Sequence, residues 1–317
     1  MSQPSHRPGR LGVGVISAGR VGAVLGAALR GAGHAVVGVH ASSEASRERA
    51  AALLPDVPVL DVQSIVERSE LVLLAVPDDQ LPGLVSGLAA TGAWQPGQLV
   101  VHTAGRHGTD VLEPVRAAGG IGLAVHPAMT FTGLSLDLQR LADCSFGVTA
   151  AAPVLPIAQA LVVEMGAEPV VVAEADRPLY HAALAHGSNH VMTVLGESMQ
   201  LLGEIGVEHP DRVLGPLVRA TVDNALASGE NALTGPVARG DVTTVAAHVA
   251  ALRELAGGGT GAADSTGHTD HDAAEAAGQL LAGYRALARQ TARRAAASGR
   301  LDGTSYRAVM AAIEEEQ

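Results

Sequence analysis

The stretch GVISAGRVG, residues 14–22, decides how the rest of the chain is read. It overlaps an apolar run at residues 11–16 that reads as a buried strand. It leads into residues 20–30, where Ala and Leu recur at helical spacing until Gly31 and Gly33 stop the helix. In a strand–turn–helix of this kind the first glycine permits the tight turn. The second lets the backbone approach a pyrophosphate, and the third lets helix pack on strand. Gly19 and Gly22 hold the second and third positions, but Ser17 stands at the first. Ser17 fits if its backbone angles fall in an allowed region, and its hydroxyl could then donate to a bound group. The helix N-terminus at Arg20 adds amide donors and the positive end of a dipole. Ser17, Ala18, Gly19, Arg20, Val21 and Gly22 are thus candidates to hold a dinucleotide, the alternative being a plain glycine turn.

Outward from this turn the chain alternates. Residues 35–40 read as a second strand and 43–54 as a second helix. Residues 71–76 (LVLLAV), 99–102 and 121–126 (IGLAVH) are further apolar strands separated by helical stretches. Strands that are apolar throughout imply a parallel sheet buried on both faces. Residues 145–149 and 169–172 could add strands at an edge. After EADRP, residues 174–178, no convincing strand follows. Asp176 can cap, and Pro178 can start, a long helix to residue 202, with further helices over 210–227, 242–255, 273–297 and 306–315. The predicted fold class is an α/β Rossmann domain, a mostly parallel doubly wound sheet, followed by an all-α C-terminal domain. The expected boundaries are a flexible N-terminus over 1–10, a dinucleotide-binding domain over 11–175, and a helical substrate and dimerisation domain over 176–317. The low-complexity run at 257–272 reads as a flexible loop; its His268 and His271 could bind a metal, though a solvated loop is the plainer reading.

Hydrophobic side chains make up 47% of the 317 residues, enough for a substantial core, and aromatic ones only 2%. Packing therefore rests on Ala, Val and Leu, and the aromatic platforms on which single-stranded nucleic acid stacks are missing. A formal charge of −11 weighs against phosphate-backbone and anionic membrane partners, while leaving room for a local basic pocket around a small anion. Cys144 is the only cysteine, which excludes an intrachain disulfide and a cysteine zinc cluster and suits a reducing cytoplasm. The N-terminal MSQPSHRPGR lacks the apolar run of a signal peptide, and no apolar stretch reaches membrane-spanning length. The expectation is a cytoplasmic protein whose partner is a small anionic molecule.

The second strand ends GVHASS, residues 38–43, without the Asp or Glu that an NAD site places on the ribose hydroxyls. Ser42, Ser43, Ser46 and Arg47 could instead accept a 2′-phosphate, with Arg47 as the charge partner. The alternative is a serine-capped helix start with Arg47 in solvent. The pattern favours NADP(H) over NAD.

With these residues in view, the chain resembles the superfamily of ketopantoate reductase, pyrroline-5-carboxylate reductase and 6-phosphogluconate dehydrogenase. More closely, it resembles bacterial Rossmann-like proteins with a helical C-terminal domain of unassigned function, the DUF2520 type, some of which are linked to pantothenate synthesis. The stretches that carry the likeness are GVISAGRVG, LLAVPDDQL, HTAGRHG, HPAMTF, HAALAHGSNH and LTGPVARGD, spread over most of the chain. The resemblance implies a Rossmann domain followed by a helical domain whose first long helix lines the active site. It also implies that Val76, Pro77 and Asp78 pass close to the nicotinamide ribose. His102, Thr103 and Gly105 would then face the nicotinamide, and His126-Pro127 would end a strand on the same side. Open α/β sheets bind ligands at strand C-terminal ends, which agrees.

Ketopantoate reductases are similar to YHAALAHGSN, residues 180–189, but with a Lys and two Asn at successive four-residue steps. Here those steps hold His181, Ala185 and Asn189. Four-residue steps drift about 40° round a helix, so His181 and Asn189 share one broad face, with Ser188 one position away. Hydride transfer to a carbonyl creates an alkoxide that must be protonated. An imidazolium His181 could give that proton while Asn189, with Ser188 in reach, orients the substrate oxygen. The alternative for His181 is a bond to a neighbouring carbonyl at a domain seam. His186 and His190 are expected to serve packing or a subunit contact, and no metal constellation is evident.

His126 is a candidate to touch substrate. In LTGPVARGD, residues 233–241, Thr234 and Arg239 could hold a substrate carboxylate, although Arg239 could equally pair with Asp241. The expected function is an NADP(H)-dependent oxidoreductase reducing a small 2-oxo acid, with 2-dehydropantoate (ketopantoate) to pantoate the best guess. The alternatives are an imine reductase of the pyrroline-5-carboxylate kind, or a non-catalytic NADP-binding sensor that contacts a partner protein. The helices are short of polar residues, which suggests a homodimer through the helical domain.

Overall fold

The computed structural model describes residues 10–257 and 270–314. By compactness the chain divides into two units, Met1–Val191 and Met192–Gln317. The first unit contains strands β1 (Gly12–Ile16), β2 (Ala35–His40), β3 (Leu71–Leu74), β4 (Leu99–His102), β5 (Ile121–Pro127), β6 (Ser145–Thr149) and β7 (Glu168–Val171). Its helices are α1 (Arg20–Gly31), α2 (Glu44–Leu53), α3 (Val62–Arg68), α4 (Leu81–Ala90), α5 (Glu113–Ala117), α6 (Leu136–Arg140) and α7 (Leu155–Glu164). Helix α8 (Arg177–Glu204) begins in this unit and ends in the second. The second unit continues with α9 (Pro210–Ser228), α10 (Pro236–Arg239), α11 (Val242–Gly257), α12 (Asp270–Ala297) and α13 (Gly303–Glu314).

The strand order is β2-β1-β3-β4-β5-β6-β7. Strands β1 to β5 are parallel, β6 runs antiparallel to β5, and β7 runs parallel to β6. The chain therefore adopts the α/β class expected, a mostly parallel sheet followed by helices. In β3, Leu71 and Leu73 enter one core with Val13, Leu25 and Leu161, whereas Val72 and Leu74 enter the other with Ile65, Val85 and Trp94. A side-chain period of two thus feeds both faces, α1 and α7 covering one and α3, α4 and α5 the other. The predicted strand over 71–76 stops at Leu74: the Ala75 amide makes a bond to the Ile16 carbonyl at 3.0 Å, and the chain then turns at Pro77. Chain progression reverses at β1, which has β2 on one side and β3 on the other; sheets of this kind bind ligands beyond the strand ends at such a switch point.

In the second unit, α10 to α13 enclose a small core that includes Val237, Val245, Val309 and Ile313. On α12, the buried Ala288, Ala292 and Ala295 fall on one face, so neighbouring helices can approach closely without aromatic filling. Asp241 caps α11, accepting from the Thr244 amide at 3.0 Å and the Thr244 hydroxyl at 2.7 Å. None of the residues of α9 is buried. The flexible segments expected at 1–10 and 257–272 fall almost wholly outside the described residues, and with them His268 and the His271 side chain. Among the described residues, no helix is long and apolar enough to cross a membrane.

Candidate functional site

After β1, Ser17 turns the chain with a φ of +76°, in the left-handed region where glycine is at ease. The turn keeps the glycine conformation without the glycine. Gly19 is the N-cap of α1 and no side chain caps the helix, so its first amides stay open to an anion. At Gly22 a Cβ would strike the Ser17 carbonyl and stand 2.9 Å from the Ala75 Cβ; its absence lets α1 meet the strand ends. Ala18 is buried and Val21 packs against the core, so both offer backbone rather than side chain.

At the end of β2, Ser43 and Ser46 bond reciprocally, the Ser46 amide to Ser43 Oγ at 3.2 Å and the Ser43 amide to Ser46 Oγ at 3.0 Å. Ser42 is exposed beside them. Arg47 is held on the surface by Glu44, with Nε and Nη2 at 3.0 and 2.7 Å, and it donates to the Ser42 carbonyl at 3.4 Å. The cation that reaches the turn is one the sequence reading missed. Arg49 Nη1 donates to the Ala18 carbonyl at 3.1 Å. A Cβ added at Gly133 would lie 2.6 Å from Arg49 Nε and 3.2 Å from Arg20 Cγ, so the loop through Gly133 lies against both arginines. The buried Asp137 holds that loop, accepting from the amides of Thr132 and Gly133 at 2.8 and 2.7 Å. Burial pushes the Asp137 carboxyl up, but these hydrogen bonds and Arg140 outweigh it and the net shift is downward.

Beyond β3 and β4, the loops from Val76 and from Thr103 are tied together. The Arg106 amide donates to Asp78 Oδ2 at 3.4 Å, and the His107 ring donates to the Asp78 carbonyl at 3.2 Å. Thr103 joins through its own amide, bonded to the Leu74 carbonyl at 3.2 Å. His102, expected to face a nicotinamide, is fully buried. Its Nδ1 accepts from the Ala104 amide at 3.2 Å, which leaves Nε2 to donate to the Gly108 carbonyl at 2.7 Å. Burial holds this ring neutral, with a pKa lowered to about 3. The ring latches the loop from inside and is not free for a ligand. Glu174 latches it from the other end, accepting from the Thr109 amide at 2.7 Å and the Asp110 amide at 3.2 Å.

The latched loop presents Gly105 to two imidazoles: a Cβ there would strike the His181 ring and lie 3.0 Å from His126 Nε2. His126 ends β5, and its Nδ1 is 3.1 Å from the hydroxyl of Tyr180. The His126 and His181 rings are 5.8 Å apart, edge to face. Burial first, then His181 and Arg177, lower the His126 pKa to about 4, so this ring is neutral near neutrality. Burial pushes the Tyr180 phenol up, against the pull of Arg177, and keeps it protonated.

Arg177, fully buried at the start of α8, fixes the helix to the sheet. Nε donates to Thr149 Oγ1 at 2.7 Å, and Nη2 donates to the carbonyls of Ala124 and Gly147, each at 3.0 Å. Its guanidinium stacks 5.7 Å from the Tyr180 ring centroid.

His126, Thr130, His181, Ser188 and Asn189 line one cavity of about 180 Å³, with Leu184 and Ala185 between them on the helix. Positions 181, 184, 185, 188 and 189 form one stripe of α8, which is how a single helix supplies half the wall. The sequence reading named His126, His181, Ser188 and Asn189, and the fold brings these four together. Thr234 and Arg239 belong to the second unit. Thr234 lines a cavity of about 590 Å³ there, with Asn224, Glu230 and Arg294, while Arg239 is exposed at the end of α10.

Residues 1–127 match the model of the Rossmann-like domain, and residues 144–291 match the domain of unknown function DUF2520. The chain pairs a Rossmann-like domain with a DUF2520 domain. The Rossmann-like part carries Ser17, the loops at Asp78 and Gly105, and His126, whereas the DUF2520 part carries Arg177, Tyr180, His181, Ser188 and Asn189. The cavity therefore draws its wall from both.

Solved structures share the fold. A candidate NADP oxidoreductase of Bacteroides fragilis is 21% identical, with a TM-score of 0.66 over 77% of this chain and 92% of its own. An imine reductase of a Pseudomonas species is 18% identical, with a TM-score of 0.58 over 95% and 99%. A pyrroline-5-carboxylate reductase of Coxiella burnetii is 15% identical, with a TM-score of 0.50 over 96% of each chain. No curated protein matches the chain.

Proposed function

We propose that the chain is an NADP(H)-dependent oxidoreductase that reduces a small 2-oxo acid, with ketopantoate the leading substrate, at the cavity between His126 and His181. The observation that carries this reading is the Tyr180 hydroxyl on His126 Nδ1 with His181 beside it, three protonatable groups where the strands end.

The residues present fit a dinucleotide. Ser17 holds the turn in its left-handed conformation, the first amides of α1 are uncapped, and Gly22 clears the space a Cβ would fill. Arg20 and Arg49 flank the turn, and Ser42 and Ser43 stand at the ribose end, a donor set suited to a 2′-phosphate. When bound, the nicotinamide supplies the hydride. The protein's part is to orient the acceptor carbon and deliver a proton to the developing alkoxide. His126 is neutral, and the chain contains no lysine, so the acid is the Tyr180 phenol or the His181 imidazolium. Ser188 and Asn189, about two turns further along the same stripe, orient the substrate oxygen.

One observation favours a second reading. Among the described residues no arginine lines the cavity, which leaves a substrate carboxylate without a guanidinium cation there. A cyclic imine arriving protonated needs neither that cation nor a side-chain acid, and the shared fold with imine reductases supports it. Loss of NADPH absorbance separates the readings, using ketopantoate, other 2-oxo acids and cyclic imines, with NADH as control. Turnover of oxo acids supports the first reading and turnover of imines alone the second. NADPH binding without turnover across the panel would leave a nucleotide sensor.

We also infer a homodimer through the helical region. Helices in proteins owe most of their stability to packing an apolar face, yet α9 has no buried residue and exposes Val213, Leu217, Val222 and Leu226. Light scattering that gave a monomer mass would rule the dimer out.

A further inference from the structure

His186 and His190 stand one turn apart on α8. Of the two roles expected for them, both being exposed excludes packing within this chain and leaves the subunit contact. Their Nδ1 atoms face each other at 2.8 Å, with ring centroids 5.0 Å apart and planes at 82°. At that separation the two nitrogens share one proton, so one lone pair is already aimed at the other ring. A metal ion bound to both nitrogens would lie off the line between them, because two metal–imidazole bonds of about 2 Å cannot fit end to end in that gap, and rotation of the exposed rings would turn both lone pairs to it. Metal–imidazole bonds of about 2.0–2.1 Å put adjacent ligands about 2.9 Å apart in a square or octahedral field, and about 3.4 Å apart in a tetrahedral one. The observed spacing matches the square edge, which is the geometry of Cu(II) and Ni(II) rather than of structural zinc. We propose that His186 and His190 form a two-ligand site for a divalent late transition-metal ion, Cu(II) or Ni(II), with its remaining positions open. Among the described residues no cluster of three or more metal-ligating side chains exists, so this pair is an open chelate and not an enclosed centre. The proposal owes nothing to the reductase reading.

The test uses the full-length, untagged protein and Cu(II) or Ni(II) alone. The chain has 13 histidines, so the informative quantity is the difference between wild type and single-site variants. Titration calorimetry is expected to show wild type binding more metal than His186→Ala or His190→Ala, by one equivalent per chain, or by one per two chains if a second copy completes the site. The electron-paramagnetic-resonance signal of the added Cu(II) should show two imidazole nitrogens and lose that signature in each variant. Both rings are exposed, so the variants should keep the wild-type circular dichroism. Equal metal uptake by wild type and both variants would overturn the proposal, as would loss of the site in only one of them.

Discussion

Replacing Ser17 by glycine should stabilise the first unit, against the usual effect of introducing glycine. Ser17 sits at φ +76°, and a residue with a Cβ in the left-handed region costs about 1–2 kcal/mol. Glycine removes that strain but gives the unfolded chain extra freedom worth about 0.4–1 kcal/mol. The difference leaves Ser17→Gly more stable by about 1 kcal/mol, a rise in melting temperature of about 2–4 °C for a unit of this size. Trp94 makes the measurement specific. It is the only tryptophan, is buried in the core of the first unit, and bonds through Nε1 to the Val85 carbonyl at 3.1 Å, so its fluorescence in urea follows that unit. Ser17→Ala is the control: it keeps the Cβ and the strain, and should show no gain. Equal stability of the glycine variant and wild type, or a loss, would refute the argument that the turn is strained. The same pair of variants asks whether the hydroxyl touches the cofactor. If it donates, both lose NADPH affinity; if conformation alone matters, the glycine variant binds as well as wild type.

Acid should unfold the first unit through His102 and His126, whose folded pKa values of about 3 and about 4 lie below the ordinary value of 6.5. Their contribution is complete above pH 6.5 and is lost as pH falls toward 4. The loss reaches about 2 kcal/mol for each ring by about pH 5, which urea midpoints across that range would show as a fall. Tyr180→Phe removes the hydroxyl from His126 and should lower turnover about 10²–10⁴-fold if Tyr180 is the acid, with NADPH binding unchanged by fluorescence titration. Unchanged turnover would pass that role to His181. Arg49→Gln should weaken NADPH about tenfold, the worth of one charge-assisted contact, while NADH changes little. Arg47→Gln should do less, because Glu44 already holds that guanidinium.

The parallel sheet was legible because its strands are apolar on both faces, and LVLLAV shows this even though the last two residues leave the strand. The reversal of β6 was not, because a buried strand presents the same side chains in either direction. The stripe through His181, Ser188 and Asn189 follows from helical spacing alone, which is why those positions were nameable from the sequence. Tyr180 was missed because its partner His126 lies 54 residues away. Arg177 was missed for a similar reason: its acceptors are backbone carbonyls and a hydroxyl on β5 and β6, and no sequence pattern reports a free carbonyl. Arg47 and Arg49 are two positions apart, about 200° round a helix, so only the fold decides which one faces the turn. His102 carries the residue type suited to a site, yet its ring closes inward on Gly108.

The geometry of the cavity depends on what three residues lack or lend. Gly105 has no Cβ where the His181 ring lies, and Gly147 has none where the Tyr180 ring lies, at 2.6 Å from where that atom would be. These two glycines leave the space into which adjacent side chains of one helix turn sink. Arg177 supplies the third constraint by bonding carbonyls on both β5 and β6, the one pair of neighbours that run antiparallel. Gly147 pairs with His126 in that ladder, so the same register sets the imidazole and the recess for the phenol. A sheet that stayed parallel beyond β5 would need a crossover between these strands and could not place a recess beside the strand end in this register. The antiparallel turn of the sheet is therefore what positions the protonatable trio.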